Sequence, residues 1–137
     1  MKLCIVSSSF YPEITKMLVK GAGAKLKKHK IYNYKVIEVS GTYEIPVVIS
    51  VYAHKFDAFI ALGCVIKGKT PHFEFLCNSV FSTLQNLSIK LKKPISNAIL
   101  TCNNKKQALE RADPLKKNKG GDAAEAVISV LNSINGK

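Results

Sequence analysis

At 137 residues, 47% of them apolar, the chain is one domain's worth, 1–137, and can build a core without disulfides or a structural metal. Its net charge of +12 comes from lysines scattered along the chain without interleaved aromatic residues, which favours a solvated basic surface over a nucleic-acid partner. The apolar run after Met1 and Lys2 is too short for a signal-peptide core or a membrane span, so a soluble, cytoplasmic protein with no membrane partner is expected.

Lys2 to Ser8 reads as a short buried strand, and "SSSFYPEIT" supplies its exit turn, with Pro12 as the first residue of a helix. In that helix Ile14, Met17, Leu18, Gly21, Ala22 and Leu26 share one face and lysines take the other. "YKVIEV", 34–39, is a second strand, followed by a turn at Ser40-Gly41-Thr42 and a helix from about Glu44 that tolerates Pro46 in its first turn. "DAFIALGCVI", 57–66, is an almost unbroken apolar run, as expected for a strand covered on both faces.

After this strand Thr70 is placed to cap a helix, with Pro71 at its first position and His72 at its second. Phe73, Leu76, Cys77, Val80, Leu84, Leu87 and Leu91 then form an i, i+3, i+4 stripe that stops before Pro94. "ISNAILT", 95–101, is a fourth strand, Asn103 or Asn104 caps the helix carrying Ala108, Leu109 and Ala112, and Pro114 ends it. Beyond "LKKNKGGD" a last helix carries Ala124, Val127, Ile128, Leu131 and Ile134. The four cysteines, Cys4, Cys64, Cys77 and Cys102, lack C-x-x-C spacing and sit in these apolar segments, so they read as buried hydrophobes in a reducing compartment.

Strand and helix alternate throughout, which predicts a parallel sheet with helices on both faces. Ligands of such sheets sit beyond the carboxyl ends of the strands. The unusual polar and aromatic residues collect at those exits: Ser9 to Tyr11, Gly41 to Glu44, Lys67 to His72, and Thr101 to Asn104. A helix start at Thr70 and Pro71, with Gly68 bringing the backbone near a ligand and Lys67 and Lys69 beside it, suits an anion and phosphate in particular. His72 stands next to it, suited to taking and giving protons. Of 21 basic residues only Arg111 is arginine, the one side chain that grips a phosphate with a planar fork. Phe10, Tyr11 and Tyr43 offer flat apolar faces, and Thr42 and Glu44 offer partners for hydroxyls, a set that fits a planar heterocycle with a polyol chain. Singly, each of these residues also fits a capped helix, a surface histidine or a core aromatic; their shared position favours the ligand.

"GTYEIP", "ALGCVIKGKTPHFEF", "TCNNKKQALERAD" and "NKGGDAA", in this order and with "SSSFYPEIT" ahead of them, resemble the 6,7-dimethyl-8-ribityllumazine synthase family over essentially the whole chain. The resemblance implies a flavodoxin-like three-layer α/β/α sandwich with a four-stranded parallel sheet. It implies condensation of 5-amino-6-(D-ribitylamino)uracil with 3,4-dihydroxy-2-butanone 4-phosphate, with loss of phosphate and water and without cofactor or metal. Carried over by position, Phe10 stacks on the pyrimidine, Thr42, Tyr43 and Glu44 line the pyrimidine and ribityl pocket, and Val65 and Ile66 touch the ring edge. Lys69, Thr70, Arg111 and Lys119 hold the butanone phosphate, and His72 is the acid-base residue. The resemblance also implies a homo-pentamer with active sites at subunit interfaces, where Asn97, Arg111 and Lys119 reach in from the adjacent chain.

The chain departs from the family pattern at Lys69, where an acidic or small residue is common, at Asn97, often aromatic, and at Ser9, frequently arginine. It begins almost at its first core strand, without the longer leader of many members, so a higher assembly of pentamers stays an open expectation. The competing readings are an archaeal-type riboflavin synthase, which has no phosphorylated substrate to explain the lysine loop and Arg111, and a non-catalytic lumazine- or flavin-binding module, which needs neither His72 nor Arg111.

Overall fold

Four strands, β1 (Leu3–Ser8), β2 (Tyr34–Val39), β3 (Ala58–Ile66) and β4 (Ile95–Cys102), pair in parallel in the order β2-β1-β3-β4. The computed structural model describes residues 1–136. Parallel pairing obliges each connection to cross a sheet face, and the three crossings are helical: α1 (Pro12–Lys28), α2 (Ile45–Val51) after a 3-10 turn at Thr42–Glu44, and α3 (His72–Leu91); α4 (Lys105–Ala112) and α5 (Lys119–Ile134) follow the last strand, β4. The result is the parallel sheet with helices on both faces expected from the alternation, arranged as the flavodoxin-like α/β/α sandwich that the resemblance implies.

Because side chains alternate across a strand, β1 feeds both layers. Leu3 and Ile5 join Ile60 and Leu62 under α1, α4 and α5, where Leu18, Leu26 and Val127 close over them. Cys4 and Val6 join Phe59 and Ala61 under α2 and α3, against Ile45, Ile49 and Leu84. Leu18 is fully buried, and truncating such a side chain to alanine costs about 2–5 kcal/mol. All four cysteines are buried and unpaired, and no helix of the described residues is long and apolar enough to cross a membrane.

The last helix begins earlier than its apolar pattern indicates, at Lys119, so that Gly120 and Gly121 lie in its first turn. Glycine is a poor helix residue, but close packing overrides this preference. A β carbon on Gly120 would stand 2.1 Å from the carbonyl oxygen of Leu18, and one on Gly21 would stand 2.3 Å from Asn118 Oδ1. Asn118 adopts φ 47° and caps the helix by accepting from the Gly121 amide at 3.3 Å. At the start of α4 the cap is Asn104, whose Oδ1 accepts from the Gln107 amide at 2.9 Å, while Gln107 accepts in turn from the Asn103 amide.

Candidate active site

The parallel register brings the carboxyl ends of β1, β2 and β3 to one edge of the sheet, where a cleft of about 570 Å³ opens. The exit of β1 contributes Phe10 and Tyr11, and the exit of β2 contributes Gly41, Thr42, Tyr43 and Glu44. The end of β3 adds Cys64, Val65 and Ile66, and the first turns of α3 add His72 and Leu76. Seven of the residues assigned to the site by the family resemblance therefore meet in one place: Phe10, Thr42, Tyr43, Glu44, Val65, Ile66 and His72.

The floor of the cleft depends on Gly63. A β carbon there would stand 2.8 Å from Thr42 Oγ1 and 3.1 Å from Ser8 Oγ, so its absence lets the 3-10 turn lie against β3. Thr42 is accordingly buried, while Phe10 and Tyr43 stand 68% and 67% exposed at the rim, where both flat side chains are open to a ligand. The Glu44 carboxylate curls back over Gly41 and accepts from Ser40 Oγ at 3.1 Å. Cys64 is no nucleophile here: burial, with a smaller contribution from neighbouring Cys102, pushes its thiol up to about 12.

Helix α3 starts one residue later than expected. Thr70 is not its cap and Pro71 is not its first residue; Pro71 holds the cap position at φ −72°, ψ 3°, and His72 opens the helix. The near-zero ψ lies outside the helical basin, which delays the regular path by one residue. Proline has no side-chain oxygen, so no side chain caps the first amides of α3. Lys67 is tethered across the turn to Glu74 at 3.6 Å, whereas Lys69 makes no ion pair among the described residues and is exposed, as is Thr70. Neither Lys69 nor Thr70 lines the cleft, although both sit in the loop leading to His72.

The remaining three residues lie elsewhere. Asn97, Arg111 and Lys119 line a separate hollow of about 530 Å³ between β4, the edge strand, and α5. Asn97 Oδ1 accepts from the Ile99 amide at 3.3 Å. Lys119 lies 3.6 Å from Asp122. Arg111 donates through Nη1 to Cys102 Sγ at 3.2 Å and to the Thr101 carbonyl oxygen at 3.4 Å, and no carboxylate pairs with it among the described residues. This hollow shares no lining residue with the cleft.

Tyr11, Gly41, Cys64 and Leu76 also line the cleft. Cys64 and Leu76 read as core positions in the sequence because their apolar periodicity is that of the strand and helix interiors; the cleft is the open end of the same core. Size alone does not mark the site, since a hollow of about 680 Å³ between the second half of α1 and the start of β2 is lined by Val19, Lys20, Lys27, Tyr32 and Tyr34 with no histidine or carboxylate.

A family model described as 6,7-dimethyl-8-ribityllumazine synthase matches residues 1–135. Among curated relatives carrying that name, the protein of Bartonella tribocorum is 42% identical over 130 residues, covering 93% of this chain and 85% of its own. That of Zymomonas mobilis is 41% identical over 133 residues, 96% of this chain and 94% of its own. That of Mycobacterium leprae is 39% identical over 136 residues, 98% and 85%.

Proposed function

The chain belongs to the 6,7-dimethyl-8-ribityllumazine synthase family, and from this membership and the cleft geometry we propose how its residues divide the work. The enzyme is a transferase of riboflavin biosynthesis. It condenses 5-amino-6-(D-ribitylamino)uracil with 3,4-dihydroxy-2-butanone 4-phosphate to 6,7-dimethyl-8-ribityllumazine, releasing phosphate and water. The 5-amine and the C2 ketone form an imine with loss of one water, phosphate departs from C4 to leave an enol that tautomerises to a ketone at C3, and attack of the ribityl-bearing nitrogen on that ketone, with loss of a second water, closes the ring. The chain's contribution is to hold two reactants in register and to move protons between them.

Phe10 stacks on the pyrimidine, Val65 and Ile66 border its edge, and Thr42, Tyr43 and Glu44 receive the polar ring atoms and the ribityl hydroxyls. His72, at the mouth of the same cleft, carries protons to and from the reacting atoms. Lys69, Thr70 and the uncapped start of α3 attract the phosphate of the second substrate, assisted by Arg111 and Lys119. The observation that carries this reading is the convergence of seven residues from three strand exits and one helix start on a single cleft.

Arg111, Lys119 and Asn97 complete the site from a neighbouring copy. Two features support this: the three gather in their own hollow on the unpaired edge of β4, and the Arg111 guanidinium lacks a carboxylate partner among the described residues. Exposed Val47, Val51 and Phe75 on α2 and α3 offer apolar surface for such a neighbour. On this reading residues 1–137 act as one synthase domain of a cytoplasmic homo-pentamer, the assembly that the family resemblance implies.

The test mixes purified protein with both substrates and follows the fluorescent lumazine. Turnover above the spontaneous background, lost in Arg111→Ala, is expected; an assembled protein with no turnover would instead be a lumazine- or flavin-binding module. Co-expression of His72→Ala with Arg111→Ala chains tests the sharing. Mixed assemblies regain part of the activity each variant lacks, because some interfaces combine two intact halves; no regain would place both residues in one chain's site.

A further inference from the structure

Two exposed aromatic rings stand at the rim of the cleft, and they are held differently. The Phe10 ring meets the Tyr11 ring edge-on, with centroids 4.9 Å apart and planes at 77°. Tyr43 makes no ring pair among the described residues. Tyr11 is itself firmly seated: its side chain packs against the core layer under α1, and its carbonyl oxygen accepts from the amides of Ile14 and Thr15, both at 3.1 Å, and from Thr15 Oγ1 at 3.3 Å. A side chain as exposed as Phe10 otherwise samples several rotamers and loses that freedom when a ligand covers it.

We propose that Tyr11 is a positioning residue, which holds the Phe10 ring by an edge-to-face contact so that its open face is ready for the pyrimidine before substrate arrives. The inference rests on the assignment of Phe10 as the stacking residue and adds the part that fixes its orientation. Offset and perpendicular aromatic pairs are favoured by the ring quadrupole, and their added stability is worth about two- to tenfold in an equilibrium constant. Because Phe10 contacts the heterocycle and not the phosphorylated ketone, the effect falls on one substrate only.

The experiment compares Tyr11→Leu, which keeps apolar packing but removes the ring, with Tyr11→Phe, which keeps the ring. Tyr11→Leu is expected to raise KM for the aminopyrimidine about two- to tenfold, with kcat and KM for the butanone phosphate changed by less than about twofold and the thermal midpoint near that of the parent. Tyr11→Phe restores the parental KM. Equal losses toward both substrates, an unchanged pyrimidine KM in Tyr11→Leu, or a defect in Tyr11→Phe as large as in Tyr11→Leu would each overturn the positioning role. Phe10→Ala separates the two layers of the argument: if it leaves pyrimidine KM unchanged, the stacking assignment fails. If it raises that KM while Tyr11→Leu does not, stacking stands and the positioning role falls. In Phe10→Ala the further change Tyr11→Leu adds nothing, since the ring to be positioned is gone.

Discussion

Arg111 leans on Cys102, donating through Nη1 to the sulfur at 3.2 Å, and leaves the rest of its guanidinium without a carboxylate partner among the described residues. A weak acceptor holds the group in place without neutralising it, and the planar fork stays available for a phosphate. Lysine in its place keeps the charge but loses the bidentate geometry. Arg111→Lys is expected to raise KM for the butanone phosphate about tenfold or more, in the range of a lost charge-assisted hydrogen bond, and to leave KM for the aminopyrimidine nearly unchanged. Steady-state kinetics with each substrate varied in turn decide the matter; parallel rises in both KM values would remove Arg111 from the phosphate site.

His72 lines the cleft at the first position of α3 and is solvent-exposed. Its removal takes away the proposed proton carrier and no core packing. His72→Ala should lower kcat by roughly ten- to a thousandfold while the assembly elutes unchanged in size-exclusion chromatography. A rate within twofold of the parent would leave proton transfer to solvent.

Gly120 leaves no room for a side chain against α1. In Gly120→Ala the new methyl would meet the Leu18 carbonyl oxygen, a backbone atom that cannot swing aside, so α5 must shift. Overpacking of this kind costs about 1–3 kcal/mol, more than the helix propensity gained, and the thermal midpoint should fall by several degrees. A rise in midpoint would show that α5 moves freely over α1.

Burial pushes the Cys4 thiol up to about 11 and that of Cys64 up to about 12, from an ordinary value of 9.0. The unfolded chain therefore sheds these protons first, and the contribution of each buried thiol, fully present below pH 9, is lost as pH rises through the folded values. The stability advantage of the parent over Cys64→Ala, read from urea unfolding, should be constant below pH 9 and shrink as pH rises from 9 to 11. An advantage that stays constant over that range would mean that the Cys64 environment does not resist ionisation.

The order of apolar runs and turns made the strands and helices legible, because period-2 and period-3.6 burial and the caps around Pro12 and Asn104 are local properties of the chain. The exit rule then picked out Phe10, Tyr11, Thr42, Tyr43, Glu44 and His72, since each sits within a few residues of a strand end, while Val65 and Ile66 were added only by the family resemblance. One local rule failed because a distant contact overrode it, since Gly120 enters a helix where Leu18 of α1 packs against it, and another failed locally, since ψ near zero at Pro71 takes the cap position from Thr70. The orientation of the Phe10 ring depends on Tyr11 being seated on the core, which spacing does not encode. Above all, the placement of Asn97, Arg111 and Lys119 in a hollow of their own follows from β4 lying at the edge of the sheet. Local pattern was enough to name most of the candidate residues and the strand ends at which most of them lie. That seven of the candidates line one cleft, that Asn97, Arg111 and Lys119 line another hollow and that Lys69 and Thr70 line neither follows from the tertiary structure, because strand order sets the distance between residues far apart in the chain.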